Sequence, residues 1–209
     1  YWEKSANYLE KRREGDYDIR YLNKAATLLG KEELLSKVQL KDAIGFGNLD
    51  KVWKGFNNAV SEAISSKIIL LYDCDTNKQN SNKNLLFKRV IPLVRENPIT
   101  IGIENLFSVN TIEKTEKTNP QYIDILEQVS KRVRGQAVAT LTIKSVNKDE
   151  KGNMCNWLCE NGNLEDFSGF SSAFQIIEEV INLWGLIPRR LRRNDVTWWY
   201  EKLPSFDWC

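Results

Sequence analysis

Residues 67–75 read Lys-Ile-Ile-Leu-Leu-Tyr-Asp-Cys-Asp, a short unbroken apolar run that ends in two acids one residue apart. A run this short, bounded by polar residues, reads as a strand buried on both faces. Such strands belong to parallel sheets with helices packed on either side. Around it, apolar spacing predicts helices over 16–29 (Ile19, Leu22, Ala25, Ala26 and Leu29, stopped by Gly30) and over 49–64 (Val52, Trp53, Phe56, Val60, Ile64). Further helices are expected over 85–94 (up to Pro92), 120–134 (stripe Ile123, Leu126, Val129), 151–160 and 172–184. Strands are expected over 38–46, 99–103 and, at a sheet edge, 137–143, with an Asn-rich loop over 76–84. Alternating strands and helices argue for an α/β layer fold.

Several chemistries are excluded at once. The chain has no histidine, so Ser-His-Asp and Cys-His catalysis and His-ligated zinc are out. Carboxylates and lysines must carry any acid–base or metal chemistry. The net charge of +2 (30 Lys+Arg against 28 Asp+Glu) rules out a general electrostatic affinity for nucleic acid and leaves local patches. Candidates are Lys83, Lys88, Arg89, Arg132 and Arg134, although such charges commonly form solvated faces. Cys74, Cys155, Cys159 and Cys209 lack a disulfide framework spacing, and no apolar run is long enough for a membrane span. A reduced, cytoplasmic protein is expected. The chain starts at Tyr1 and its sole methionine is Met154, so it reads as part of something longer.

Asp73 and Asp75 are the sharpest chemical signal. Ligands of open α/β sheets bind beyond the carboxyl ends of strands, and alternate residues there point the same way. Two carboxylates held so close repel unless a cation separates them, and Mg²⁺ uses one or two carboxylates plus substrate phosphate. The competing reading is a solvated Asp- and Asn-rich turn. Glu14 and Asp18 lie four residues apart at a helix start, where they either share a site or simply complement the helix dipole. Glu104 follows the expected strand 99–103 and is either a second-strand metal ligand or a surface glutamate.

Three segments, residues 14–22 (Glu-Gly-Asp-Tyr-Asp-Ile-Arg-Tyr-Leu), 71–76 (Leu-Tyr-Asp-Cys-Asp-Thr) and 102–106 (Gly-Ile-Glu-Asn-Leu), together resemble the Toprim domain. More narrowly, they resemble the C-terminal nuclease half of the overcoming-lysogenization-defect (OLD) family, which joins an ABC-type ATPase to a Toprim nuclease. The resemblance covers roughly residues 10–165. It implies a Toprim-like, Rossmann-like, mostly parallel sheet flanked by helices over 1–148. A C-terminal helical extension over 149–188 and a basic, then aromatic, tail over 189–209 would follow.

The resemblance also implies roles. Glu14 would be the Toprim glutamate, a metal ligand or acid–base group, with Asp18 beside it. Asp73 and Asp75 would bind metal, with Glu104 as a further ligand. Lys151, with Lys148 second, would face the scissile phosphate, and the glycines Gly45 and Gly47 would let backbone approach phosphate. The implied activity is endonucleolytic phosphodiester hydrolysis with two Mg²⁺ or Mn²⁺ ions, acting on DNA or RNA in defence against phage or mobile elements. No Walker A motif is present, so the family's ATPase would be missing from this chain or lie in a partner.

The residues just before Glu14, Tyr8-Leu-Glu-Lys-Arg-Arg13, do not read as the hydrophobic strand that precedes the glutamate in Toprim domains. A catalytically impaired oligomerisation or regulatory module is therefore an alternative, with Trp198, Trp199, Tyr200 and Trp208 as docking aromatics. A second alternative is a haloacid-dehalogenase-type phosphatase, whose nucleophile would be Asp73.

Overall fold

The computed structural model describes residues 17–43, 46–56, 66–133 and 136–183. In chain order the elements are α1 (Tyr17–Leu29), α2 (Glu32–Ser36), α3 (Phe46–Gly55), β1 (Ile68–Tyr72), β2 (Ser81–Lys83), β3 (Leu86–Val90), α4 (Val109–Thr118), β4 (Ile123–Val133), β5 (Gln136–Val146), α5 (Lys151–Asn161) and α6 (Ser171–Asn182). The fold is mixed α/β. One sheet has three strands in the order β1-β3-β2, and the other is the β4–β5 hairpin. Among the described residues no helix is long and apolar enough to cross a membrane.

The apolar run forms β1, as its sequence demands. It pairs in parallel with β3, Ile68 opposite Leu86 and Tyr72 opposite Val90, while β2 runs antiparallel on the other side of β3. Alternation sends the two faces of β1 into different cores. Leu70 and Tyr72 pack with Leu86, Phe56, Leu49 and Trp53 under α3. Ile69 and Leu71 face the main core, built from Tyr21, Leu22, Ala25, Ile103, Phe107, Met154, Leu158, Phe167, Phe170 and Phe174. At its centre Phe107 meets Tyr21 and Phe170 at ring separations of 5.0 Å. α6 is fastened to the sheet by Lys67, whose Nζ donates to the Val180 and Ile181 carbonyls near the helix C-terminus.

Local chemistry explains the helix boundaries. α1 buries Tyr21, Leu22, Ala25 and Ala26 on one face. It stops at Gly30 (φ +64°), where Lys31 N donates back to Ala26 O at 2.8 Å, the wrap of a Schellman end. Ser108 caps α4 by accepting from Thr111 N. α5 lies against α1 so closely that a Cβ at Gly152 would stand 3.2 Å from the Tyr17 hydroxyl.

Four expected elements differ. Residues 85–94 form the strand β3, not a helix. Arg89 is the reason the pattern misleads: it is 4 % exposed yet charged, stacked on Phe87 and bonded to Asn82 Oδ1 and Glu179 Oε1. Residues 123–133 form β4 in place of a helix, paired antiparallel with β5 (Ile123 opposite Val146, Val129 opposite Leu141) with register shifts between Ile125 and Glu127 and between Lys131 and Arg132. Residues 38–43 are irregular and Phe46 opens α3, so the expected strand 38–46 is absent there; no described strand pairs with that segment. Of 99–103 only Ile99 makes a bridge, to Lys144. Gly102 (φ +70°) turns the chain, and Ile103–Leu106 is a 3₁₀ turn. The expected loop 76–84 also ends in a short strand, β2. The helices expected over 16–29, 151–160 and 172–184 appear as Tyr17–Leu29, Lys151–Asn161 and Ser171–Asn182, and that over 49–64 as Phe46–Gly55, with 57–64 outside the described residues; the strand expected over 137–143 lies within β5.

Candidate functional site

The site is assembled from β1, the 3₁₀ turn and the N-terminal ends of α1 and α5. Asp73 leaves β1 just past Tyr72, whose carbonyl accepts from Ile91 N. The chain turns at once: Thr76 donates through both its backbone N and its Oγ1 (2.8 Å) to Asp73 O. That turn is docked on the 100–102 segment through Cys74 Sγ, 3.6 Å from the carbonyls of Thr100 and Gly102. Gly102 N is 3.4 Å from Asp75 Oδ1, a weak contact that points the amide at the carboxylate.

Gly102 also sets Glu104. A Cβ at Gly102 would fall 2.5 Å from Glu104 Oε2, so the carboxylate occupies space that only glycine leaves open. Its backbone (φ +70°, ψ −174°) is a conformation essentially restricted to glycine. Glu104 is 2 % exposed, and its Oε1 lies 2.9 Å from Lys151 Nζ. The approach is off the hydrogen-bonding direction, which leaves Oε1 charge-compensated but without a hydrogen bond.

Two asparagines hold this segment in place of a sheet ladder. Asn105, fully buried, accepts from Val94 N and donates to the carbonyls of Val94 and Ile99. Asn97 accepts from Ile99 N and donates to Asn105 O and Phe107 O. Every backbone group that these amides reach is thereby satisfied without a strand partner.

The electrostatics tie the four segments together. Asp18, in the first turn of α1, has its carboxyl raised to about 7 by desolvation, then by Glu104, against the opposing pull of Lys151, with Asp73 and Asp42 adding repulsion. Its side chain still reaches solvent, so water screens part of that repulsion. Asp73 is raised by burial, then by Asp75 and Glu104. Burial and the charges of Asp75 and Asp73 push the Cys74 thiol up to about 11, which makes it a packing group and not a nucleophile. For Lys151, burial opposes the charge, but Glu104, Asp18 and Asp73 outweigh it and hold the ammonium protonated.

Asp18, Asp73, Asp75, Glu104 and Lys151, from four separate stretches of chain, thus lie within electrostatic reach of one another, with Lys151 and Glu104 in contact. Lys148 is exposed and is not among the charges that shift Asp18, Asp73 or Lys151. Gly47 lies in the first turn of α3 with open space around its Cα. Glu14 and Gly45 lie outside the described residues. Glu104 differs from expectation in its setting, a 3₁₀ turn in place of a strand end. Gly102, Asn97, Asn105 and Asp42 belong to the site's frame; Gly102 and Asn105 fall in the segment 102–106 without an expected role of their own, and Asn97 and Asp42 carry no signal in the sequence. A lysine at the start of a helix opposes the macrodipole, so Lys151 itself was a legible signal that a carboxylate partner is near.

The donors are all oxygens, the set a hard divalent cation prefers. Among the described residues, however, no three Asp, Glu or Cys groups stand close enough to hold one ion together. Lys151 supplies the positive charge next to Glu104.

Comparison of the chain with protein-family models, with curated proteins and with solved structures finds no match.

Proposed function

We propose that this chain is a metal-dependent phosphodiesterase, an endonuclease of the Toprim type, working at Asp18, Asp73, Asp75, Glu104 and Lys151. The observation that carries the reading is the meeting of Lys151 Nζ with Glu104 Oε1 at 2.9 Å, beside the charge-coupled Asp18 and Asp73. Surplus negative charge around a single ammonium is the electrostatic state expected where a divalent cation and a phosphate are to be received.

Asp73, Asp75, Glu104 and Asp18, with Glu14 as a further expected ligand, would hold Mg²⁺ or Mn²⁺; when bound, the cation activates water and neutralises phosphate charge. Lys151 stays charged in the site and can turn from Glu104 toward a phosphate oxygen as negative charge builds there. Gly102 keeps Glu104 and Asp75 in register. DNA or RNA is the substrate class, and an ATPase partner accords with the resemblance to OLD proteins.

The test is cleavage of plasmid DNA and of RNA with Mg²⁺ or Mn²⁺, comparing the chain with Asp73→Asn/Asp75→Asn. Metal-dependent nicking by the unaltered chain and its loss in the variant is expected; equal residual activity in both would falsify the reading. A covalent phosphate on Asp73, sought by mass spectrometry after exposure to a phosphoryl donor, would instead favour the phosphatase alternative.

A second reading has its own support. Lys151 satisfies Glu104 with a cation from within the chain, and no three described ligands are preassembled. A Toprim-like module that has lost catalysis and serves assembly would look like this. It calls for no cleavage with any divalent ion.

A further inference from the structure

Trp53, on the inner face of α3, is the centre of a cationic cluster on the α3 side of the three-stranded sheet. Lys88 Nζ on β3 stands 4.2 Å from its ring centroid and Lys83 Nζ on β2 stands 4.6 Å from it. Lys83 Nζ also donates to Trp53 O at 2.8 Å. The cluster continues toward Tyr72, whose ring lies 6.0 Å from both Lys88 Nζ and Lys78 Nζ. Tyr72 is the residue before Asp73. The cluster therefore runs along the α3 side of the sheet, from Lys83 level with the start of β1 to Tyr72 at its carboxyl end.

Gathering ammonium groups around one ring is unfavourable unless something compensates them. The ring faces supply part of this. Asp50 supplies more, but only at one end: it pairs with Lys78 at 2.7 Å and accepts from the Tyr72 hydroxyl. Among the described residues, Lys83 and Lys88 make no ion pair with a carboxylate. Positive charge is thus concentrated locally on a chain whose net charge is only +2. Arg89, the neighbouring basic residue, is no part of it, being buried and tied to Glu179 and Asn82.

We propose that this face, with Lys83, Lys88 and Trp53 at its centre and Lys78 beside Tyr72, binds the phosphodiester backbone of nucleic acid on the sheet whose strand β1 ends at Asp73. The proposal rests on the nuclease reading above and specifies how that site receives its substrate. Ammonium groups gathered on one face are what a phosphate backbone requires, each displacing the counterions of the phosphate it meets.

The test is fluorescence anisotropy with a short labelled single-stranded DNA and the same sequence as RNA, in EDTA so that cleavage plays no part. Lys83→Gln/Lys88→Gln is expected to weaken binding about ten-fold at low salt. It should also make the slope of log affinity against log salt shallower by about 1.5, the loss of two phosphate contacts. A control pair, Lys31→Gln/Lys37→Gln, should leave both unchanged. In the unaltered protein, the oligonucleotide should protect Lys83 and Lys88 from acetylation, a readout that does not depend on the variant folding. Unchanged affinity and slope, equal loss in the control, or no protection would overturn the proposal. Expected binding without any metal-dependent cleavage would sink the nuclease reading alone; cleavage with unprotected lysines would sink this face alone.

Discussion

Lys151 Nζ, at the first position of α5, lies 2.9 Å from Glu104 Oε1, a carboxylate that is 2 % exposed in a turn 47 residues earlier in the chain. The pair joins two segments that share no strand or helix, and most of what is chemically distinctive in the protein is arranged around it.

Removing Lys151 leaves Glu104 buried with no counter-charge. Breaking a fully buried pair costs about 3–5 kcal/mol; because the Lys151 side chain is 34 % exposed, Lys151→Met should cost about 2 kcal/mol. Combining it with Glu104→Gln should recover part of that loss. Urea unfolding of the two single variants and the double variant checks this, and strict additivity would count against the coupling.

Asp18 gives a pH signature. Its carboxyl titrates at about 7 when folded against an ordinary 3.8, so between those pH values the folded chain binds a proton that the unfolded chain has released. That contribution to stability is complete below about pH 4 and is lost as pH rises through about 7. Asp18→Asn should flatten this decline and stabilise the protein above pH 7 by about 1 kcal/mol, a figure kept small because the side chain reaches water. Thermal unfolding measured across pH 4–8 decides it.

Gly102→Ala should be among the costliest single-methyl additions in the protein. The backbone there is one that alanine adopts only with strain of about 1–3 kcal/mol, and the new carbon would meet Glu104 Oε2 at 2.5 Å. A drop in midpoint comparable to Lys151→Met is expected. Gly47→Ala, with open space around it, should be nearly silent.

Divalent ions should raise the melting temperature of the unaltered chain, since a ligand that binds only the folded state stabilises it by mass action. Asp73→Asn/Asp75→Asn should abolish the Mn²⁺-induced shift. An equal shift in the variant would move the ion elsewhere.

Much of the frame was legible from the residues. β1 announced itself because five consecutive apolar residues between polar ends have few other destinations, and α1 and α6 because their buried stripes keep a helical period. β3 and β4 were not, each for its own reason. In β3 a buried arginine sits where alternation predicts an apolar residue, and in β4 the spacing of Ile123, Leu126 and Val129 mimics a helix until β5 supplies the pairing. The acids of the site were legible as residue types. What brings them together was not, because Gly102, Asn97 and Asn105 act through backbone conformation and buried amide hydrogen bonds, which leave no periodic trace.

Those three residues also bear on how the chain can diverge. Between Asn97 and Asn105 the surface positions are free to vary: Ile101 is 49 % exposed, and neither it nor Thr100 contributes a side chain to the bracing. The two amides have no such latitude. Asn105 uses its carbonyl oxygen and its amino group on opposite partners, a division of labour that aspartate lacks and that glutamine, one methylene longer, misplaces. Lineages of this protein should therefore rewrite the loop around three fixed points, and the acidic site should outlast most of the sequence that surrounds it.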